Sequence, residues 1–478
     1  MRSIGLTGLK ITEKIMYRLL CVLSMLLVAA GCTTTPNYND PLTQYSPDYG
    51  YRFENLKPGD NSDSLFVILT FSGGGTRASA LSLGILEKLA DIEIEWEGRR
   101  TRLLDEVDLI SSVSGGSFAA AYYAAYKEKI FTDYTEMLYQ KNQGKLMRAA
   151  FSLPNMIKQA SPSYSRTNTA ANSYEDNMYP GMTFGDLLKN GERPFIVINA
   201  TDMGIRRQFN FTQETFDLLY SDLSSYPLGY AVAASSAFPG AFSALILKNH
   251  EQGPDFELDP FYTDKIEHDA LGSFSRDAAV DAKSYLDPDK IFVHLSDGGV
   301  SDNLGLLPVL ANLVNPDHPL GLIPVIPGGK EQKIVIIAVN AGVHQKDTLS
   351  YKGKPPGFLK LLGEAGTTPM GWFTRAQLGY LQLMIEFNKL TQVDGDATLA
   401  PHGTNAARIS RSEAPRTYYF IEVGFDKITD DEQRAFFDSI PTKFTLPADS
   451  IDRLRSIGGD ILDQDPKFQE LLNEIAIK

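Results

Sequence analysis

Three short stretches of this 478-residue chain carry residue types that could do chemistry together. The first runs from Val107 to Ser117, VDLISSVSGGS, and leads into the helix-forming Phe118-Ala119-Ala120-Ala121-Tyr122-Tyr123. An apolar run that stops at Ser114, two glycines and an immediate helix read as a strand, a sharp turn and a helix with the serine at the apex. A serine hydroxyl is a poor nucleophile until it is exposed, oriented and set beside a base, and this turn supplies the exposure and orientation. Gly115 and Gly116 relieve crowding, and the helix start offers unpaired N–H groups to developing negative charge. Taken alone, Ser114 could equally cap the helix after it.

The second stretch is Ser72-Gly73-Gly74-Gly75-Thr76-Arg77, again between an apolar run and a helical pattern. Backbone N–H groups in such a loop can hold negative charge. As a dinucleotide fingerprint, Gly73-x-Gly75-x-x-Ala78 fits loosely, with Glu95 and Glu97 further on. As a phosphate-binding Walker loop it fails, since no Gly-Lys-Ser/Thr comes next. As an oxyanion loop beside a nucleophile it fits well. The third stretch is Phe292-Val293-His294-Leu295-Ser296-Asp297-Gly298-Gly299, a strand ending on a carboxylate. Asp297 is placed to accept a proton, or is simply the start of an Asp-Gly turn.

These residues need elements to hold them. The continuous apolar run at 64–71 has the length and composition of a buried parallel strand, and further strands are read at 107–113, 194–202 and 290–297 and, within 331–342, at 334–339. Residues 78–89 show helical spacing through Leu81, Ile85, Leu86 and Leu89. Residues 131–190, polar and dotted with aromatics, read as an insertion that could form a lid. The small-residue segment Gly229–Ala237 reads as a helix packing closely on the sheet, and Ser235 and Ser236 are assigned no chemistry. Beyond His344 the pattern thins. Residues 352–371 are rich in glycine and proline, and 373–391 read as an amphipathic helix. A late strand is expected at 418–423, then a helix opened by a Thr429/Glu432 capping box, and further helix with Ile451, Leu454, Ile457, Ile461 and Leu462 inward.

The N-terminus reads as a targeting segment. Lys14 and Arg18 precede the apolar run 19–30, which is too short to span a bilayer but suits a secretory signal. Small residues lead into Cys32, which resembles the bacterial lipoprotein cleavage site, with Cys32 becoming the lipidated terminus and residues 1–31 lost; translation could equally begin at Met16. Thr33 after the cysteine resembles the pattern of lipoproteins sent to the outer membrane where there are two membranes, so a cell-envelope location is expected. Residues 32–63 read as a flexible tether. The formal net charge of −14 argues against nucleic acid as a partner. Cys21 would leave with the signal, so no disulfide or cysteine-based metal site is expected.

The ordered trio of Gly73-Gly74-Gly75-Thr76-Arg77-Ala78, Ser112-Val113-Ser114-Gly115-Gly116 and Asp297-Gly298-Gly299 resembles the patatin-like phospholipase family, with Thr183–Leu187 and the 235–239 segment as smaller echoes. The resemblance covers about residues 64–345. Two departures are visible: Ala78 and Ser112 stand where the family pattern has glycine. The resemblance implies a three-layer α/β fold around a central, mostly parallel sheet, with a catalytic domain at 64–345 and a mainly helical extension at 346–478. It implies a Ser114–Asp297 dyad without histidine, in which Ser114 attacks an ester carbonyl and Asp297 takes its proton. Gly73, Gly74, Gly75 and the N–H of Gly115 would hold the oxyanion, with Gly116, Gly298 and Gly299 shaping the turns. Arg77 would brace the loop or meet a lipid phosphate, bracing being the favoured role. No cofactor or metal is expected. The implied activity is that of a phospholipase A or lysophospholipase acting on membrane lipid or lysolipid; the alternatives are another esterase or acyltransferase with the same dyad, or a non-catalytic lipid-binding lipoprotein. A triad in Ser, Asp, His order would need His318, His344 or His402, of which His344, just past a strand, is the one serious rival base.

Overall fold

The structure is a computed structural model that describes residues 39–139, 165–323, 332–344, 350–394 and 416–476, apart from positions 58, 60, 63, 316, 352, 354 and 356. Residues 1–38, which include the segment read as a signal, Met16, Cys32 and Thr33, lie outside the described residues. Ten strands form among the described residues. Strands β1 (Leu65–Phe71), β4 (Val107–Val113), β5 (Phe195–Asp202), β6 (Arg207–Phe211), β7 (Leu245–Lys248), β8 (Phe292–Asp297), β9 (Gln332–Asn340) and β10 (Arg416–Gly424) make one sheet, and β2 (Glu93–Trp96) and β3 (Arg99–Arg102) make a separate hairpin. The order is β10-β9-β1-β4-β5-β8-β7, with β6 paired to β5.

From β10 to β5 the pairing is parallel throughout; β6, β7 and β8 are added antiparallel. Parallel strands have both faces covered, which explains why β1, β4 and β5 are buried at every position and read as unbroken apolar runs. The chain steps from β1 to β4 to β5 on one side of β1 and returns to β9 and β10 on the other. The loops at the carboxyl ends of these strands therefore diverge and open a crevice between them.

Helices cover the sheet and frame that crevice: α1 (Thr76–Ala90), α2 (Gly115–Tyr126), α3 (Arg166–Asn177), α4 (Leu228–Ser235), α5 (Phe358–Asp394), α6 (Asp431–Asp438), α7 (Ala448–Gln464) and α8 (Pro466–Ile475). α1 comes directly after β1 and packs against both α2 and α7, while α7 and α8 cover β10. The apolar positions Ile451, Leu454, Ile457 and Ile461 of α7 are buried, and Arg455 pairs with Glu87 of α1 across the contact.

Several expected boundaries shift. Residues 32–63 are not a tether over their described part. Asn39 bonds to Ser221 and to the Lys248 carbonyl, and Tyr51, wholly buried, stacks on Phe195 while its hydroxyl accepts the Ile196 N–H. Turn-like composition there conceals aromatic anchors. The body also continues past 345, because β10 completes the sheet and α7 covers α1. In the stretch read as a possible lid, α3 lies along α4 with Ala170, Ala171 and Tyr174 in the core. Residues 140–164 lie outside the described residues. The glycine- and proline-rich stretch before 373 is helical from Phe358 and carries Pro369 within the helix. The cap of α6 is Asp430, whose side chain accepts the Gln433 N–H, rather than Thr429 one residue earlier.

Candidate active site

Strands β4 and β8 end at adjacent registers of β5: Val113 lies opposite Asn199, and Asp297 opposite Ala200. That register, rather than any local feature of either turn, brings residues 114 and 297 together. The Ser114 hydroxyl donates to Asp297 Oδ2 at 2.9 Å. Ser114 sits at φ 50°, ψ −116°, a conformation that non-glycine residues rarely adopt and that holds its side chain clear of both strand and helix.

The strained turn is held from behind by Ser235, at the end of α4. Its hydroxyl donates to the Asn199 carbonyl at 2.6 Å, accepts the Ser114 N–H at 2.8 Å and lies 3.0 Å from the Ser117 hydroxyl. With its one proton given to Asn199, it accepts from both of the others. The Asn199 amide also donates to Ser111 Oγ and the Ser112 carbonyl, each at 2.9 Å. Ser112 is thus accommodated inside β4, its hydroxyl toward the Val197 carbonyl. Nothing in the sequence links positions 114, 199 and 235 except small size; the packing role expected of Ser235 leaves out this polar one.

Asp297 is 5% exposed. Its Oδ1 accepts the Gly299 N–H at 2.8 Å, its N–H donates to the Ala237 carbonyl, and its own carbonyl accepts Thr201 Oγ1. Among the described residues, no cation pairs with the carboxylate. Burial raises its pKa to about 6, against the lowering effect of the Gly299 N–H and the Ser114 hydroxyl. Gly298 is required by proximity, since a Cβ there would collide with the Asn199 carbonyl.

The glycine loop lies against the elbow. A Cβ on Gly115 would run into the Gly75 backbone, so this pair meets main chain to main chain. Gly74 and Gly75 have φ of 146° and 61°, and among the described residues no hydrogen bond takes either N–H. Gly73 differs, and corrects the expectation of four donors: its N–H is already given to the Asn303 carbonyl at 3.0 Å. Gly73 serves as a close-approach point beside the Ser114 side chain. Arg77 is buried, with Nε on the Ala341 carbonyl at 2.8 Å and Nη1 on the Ile440 carbonyl at 2.6 Å, and burial lowers its pKa to about 10. Thr76 N–H donates to the Lys443 carbonyl. The loop is therefore tied to residues beyond β9 and beyond α6.

These groups line a cleft of about 1220 Å³ whose walls include Phe118, Phe238, Met370, Trp372, Leu378 and Phe444. His344 lines the same cleft, but its ring lies 3.5 Å from an Arg375 nitrogen and its N–H donates to Asp438. His318 is half-buried beside Phe261, its Nδ1 accepting the Leu320 N–H; desolvation lowers its pKa to about 4. His402 lies outside the described residues. The Ser114 hydroxyl is thus bonded to a carboxylate and, among the described residues, to no imidazole. Among those residues, too, no group of three His, Cys, Asp or Glu side chains is arranged to hold a metal ion.

The arrangement defines an α/β protein built around a serine at a strand end, with a buried carboxylate as its partner. The family is shown by sequence: the patatin-like phospholipase model matches residues 69–310, and the chain belongs to that family. No curated protein matches the sequence. Among solved structures, the human GIVD cytosolic phospholipase A2 aligns at 12% identity and a TM-score of 0.40, over 85% of this chain and 59% of that one. VipD from Legionella pneumophila aligns at 10% identity and a TM-score of 0.30, over 92% of this chain and 72% of that one. The chain thus spans about three-fifths of the human enzyme.

Proposed function

We propose that the protein is a lipid acyl hydrolase of phospholipase A or lysophospholipase type, acting through an acyl-enzyme on Ser114. The observation that carries this reading is the 2.9 Å hydrogen bond from Ser114 Oγ to a buried Asp297 in a cleft walled in part by Phe118, Phe238, Met370, Leu378 and Phe444. As Oγ attacks the ester carbonyl, its proton passes to Asp297 Oδ2. The carbonyl oxygen becomes an oxyanion held by the N–H groups of Gly74, Gly75 and Gly115. The tetrahedral intermediate collapses, the leaving alcohol takes the proton from Asp297, and the acyl group stays on Ser114. Water then enters and gives a proton to Asp297 as its oxygen attacks the acyl carbonyl; the acyl–Oγ bond breaks, Asp297 returns the proton to Ser114 Oγ, and the fatty acid leaves. One oxyanion donor is typically worth about 10²–10³ in turnover.

A fluorophosphonate probe should label Ser114 in the wild type and fail to label Ser114→Ala. Both Ser114→Ala and Asp297→Asn should lose phospholipid and lysolipid ester hydrolysis while keeping the native circular dichroism. Undiminished turnover in either variant would refute the dyad. Attachment to the cell envelope through a lipidated Cys32 belongs to the same proposal; mass spectrometry of the mature N-terminus tests it.

A further inference from the structure

The long helix α5 presents three different faces between residues 367 and 387. Thr374, Gln377, Leu381 and Ile385 are buried, and the Gln377 amide donates to Asp302 Oδ1 at 2.9 Å. Trp372, Arg375, Gly379 and Gln382 line the cleft that holds Ser114. The remaining face carries Phe373, Ala376, Tyr380 and Leu383, at the three- and four-residue spacing that puts them in one row. All four are exposed, with Leu383 at 64%, Phe373 at 43% and Tyr380 at 40%. Trp372, 69% exposed, joins this row to the cleft. Between 367 and 387 the only charged residues are Arg375, which lines the cleft, and Glu386, four residues after Gln382 and outside the row 373, 376, 380, 383. The result is an uncharged apolar stripe about three turns, or ~15 Å, long, facing solvent.

A helix ordinarily turns such a stripe inward, and a contiguous exposed one marks an interaction surface. We infer that this face of α5 docks on a phospholipid bilayer and lays the mouth of the catalytic cleft against the membrane, an inference that rests on the lipid-hydrolase reading. Two observations select a bilayer as the occupant. First, Trp372 stands both at the end of the stripe and in the wall of the cleft, beside Met370 and Leu378, so the stripe is continuous with the cleft that holds Ser114. Second, its side chains are Trp, Tyr, Phe and Leu with no Lys or Arg among them, a set that suits the headgroup–acyl boundary of an uncharged lipid surface. The Gln377–Asp302 bond fixes the helix to the loop just past Asp297, so docking sets the orientation of the site as well as its distance from the lipid.

The chain has two tryptophans, and Trp96 sits on the β2–β3 hairpin with its Nε1 bonded to Ser64. Trp96→Phe therefore leaves Trp372 as the single indole of the full-length protein. In that background, phosphatidylcholine vesicles brominated on the acyl chains should quench and blue-shift the emission. Leu383→Glu and Phe373→Glu, both at exposed positions, should reduce the quenching about tenfold or more, with an unchanged melting temperature. This readout reports where the Trp372 ring sits, whatever else holds the chain on the vesicle. Absence of quenching, or quenching untouched by both substitutions, overturns the inference; so does a stripe occupied by a second copy, seen as a dimer by light scattering that Leu383→Glu breaks. Quenching with no hydrolysis of the vesicle lipid leaves the docking face standing and strikes the hydrolase reading instead.

Discussion

Two buried carboxylates five residues apart, Asp297 and Asp302, are provisioned in opposite ways. Asp297 receives one backbone N–H and the Ser114 hydroxyl. Asp302 receives five donors: the N–H groups of Leu304, Gly305 and Leu307 and the amides of Gln208 and Gln377. Burial pushes both pKa values up. At Asp302 the five donors oppose that push and make an anion the natural occupant of the interior, pinning the loop to β6 and α5. At Asp297 the shortage of donors leaves a carboxylate that gains by accepting a proton. The same residue type is a fastener in one place and, in the proposed mechanism, a base in the other, and the count of donors separates the two.

The largest expected effect comes from removing the fastener. Asp302→Ala would leave three backbone N–H groups and two amides without their acceptor, at about 1–3 kcal/mol for each one left unsatisfied, so a loss of at least about 4 kcal/mol should appear in urea unfolding. Asp297→Asn should do the reverse. Because the folded pKa of about 6 lies above the ordinary 3.8, the folded state binds the extra proton, and stability falls as pH rises through that window. Replacing the charge with a neutral amide should then add about 2–3 kcal/mol at pH 7 and make no difference below pH 3.8, which melting curves at the two pH values would show.

Activity moves the other way with the same titration. The base works when ionised, so kcat/KM should fall about tenfold per pH unit below about pH 6, and a flat profile down to about pH 4 would contradict the role given to Asp297. The smallest effect is expected at Ser235→Ala, which removes the acceptor of the Ser114 N–H. It should lower kcat about tenfold, leave KM nearly unchanged and cost about 1–2 kcal/mol of stability.

Much of the fold was legible because parallel strands bury both faces and so announce themselves as apolar runs, as β1, β4, β5 and β9 do. The elbow and the Asp-Gly-Gly turn were legible because sharp turns demand glycine. Contacts made across long stretches of chain were not. Ser235 looked like packing because its polar partners are 36 and 121 residues away. Gly73 looked like a donor because Asn303, which takes its N–H, lies in a loop that the glycine pattern does not mention. The helices α5 and α7 show a further limit: both alternate apolar and polar residues at helical spacing, yet α7 buries its apolar row on α1 while α5 holds one such row out to solvent. Periodicity tells which residues share a face, and only the neighbouring elements tell what that face meets.

The bonds from Thr76 to Lys443 and from Arg77 to Ile440 bear on how the protein is made. The serine, the aspartate and the glycine loop have all left the ribosome long before residues 440–443 are joined to the chain. Until those residues arrive, the oxyanion loop lacks its outer brace and α1 lacks the cover of α7. A nascent or prematurely terminated product therefore carries Ser114 and Asp297 without the loop geometry that the proposed hydrolysis requires.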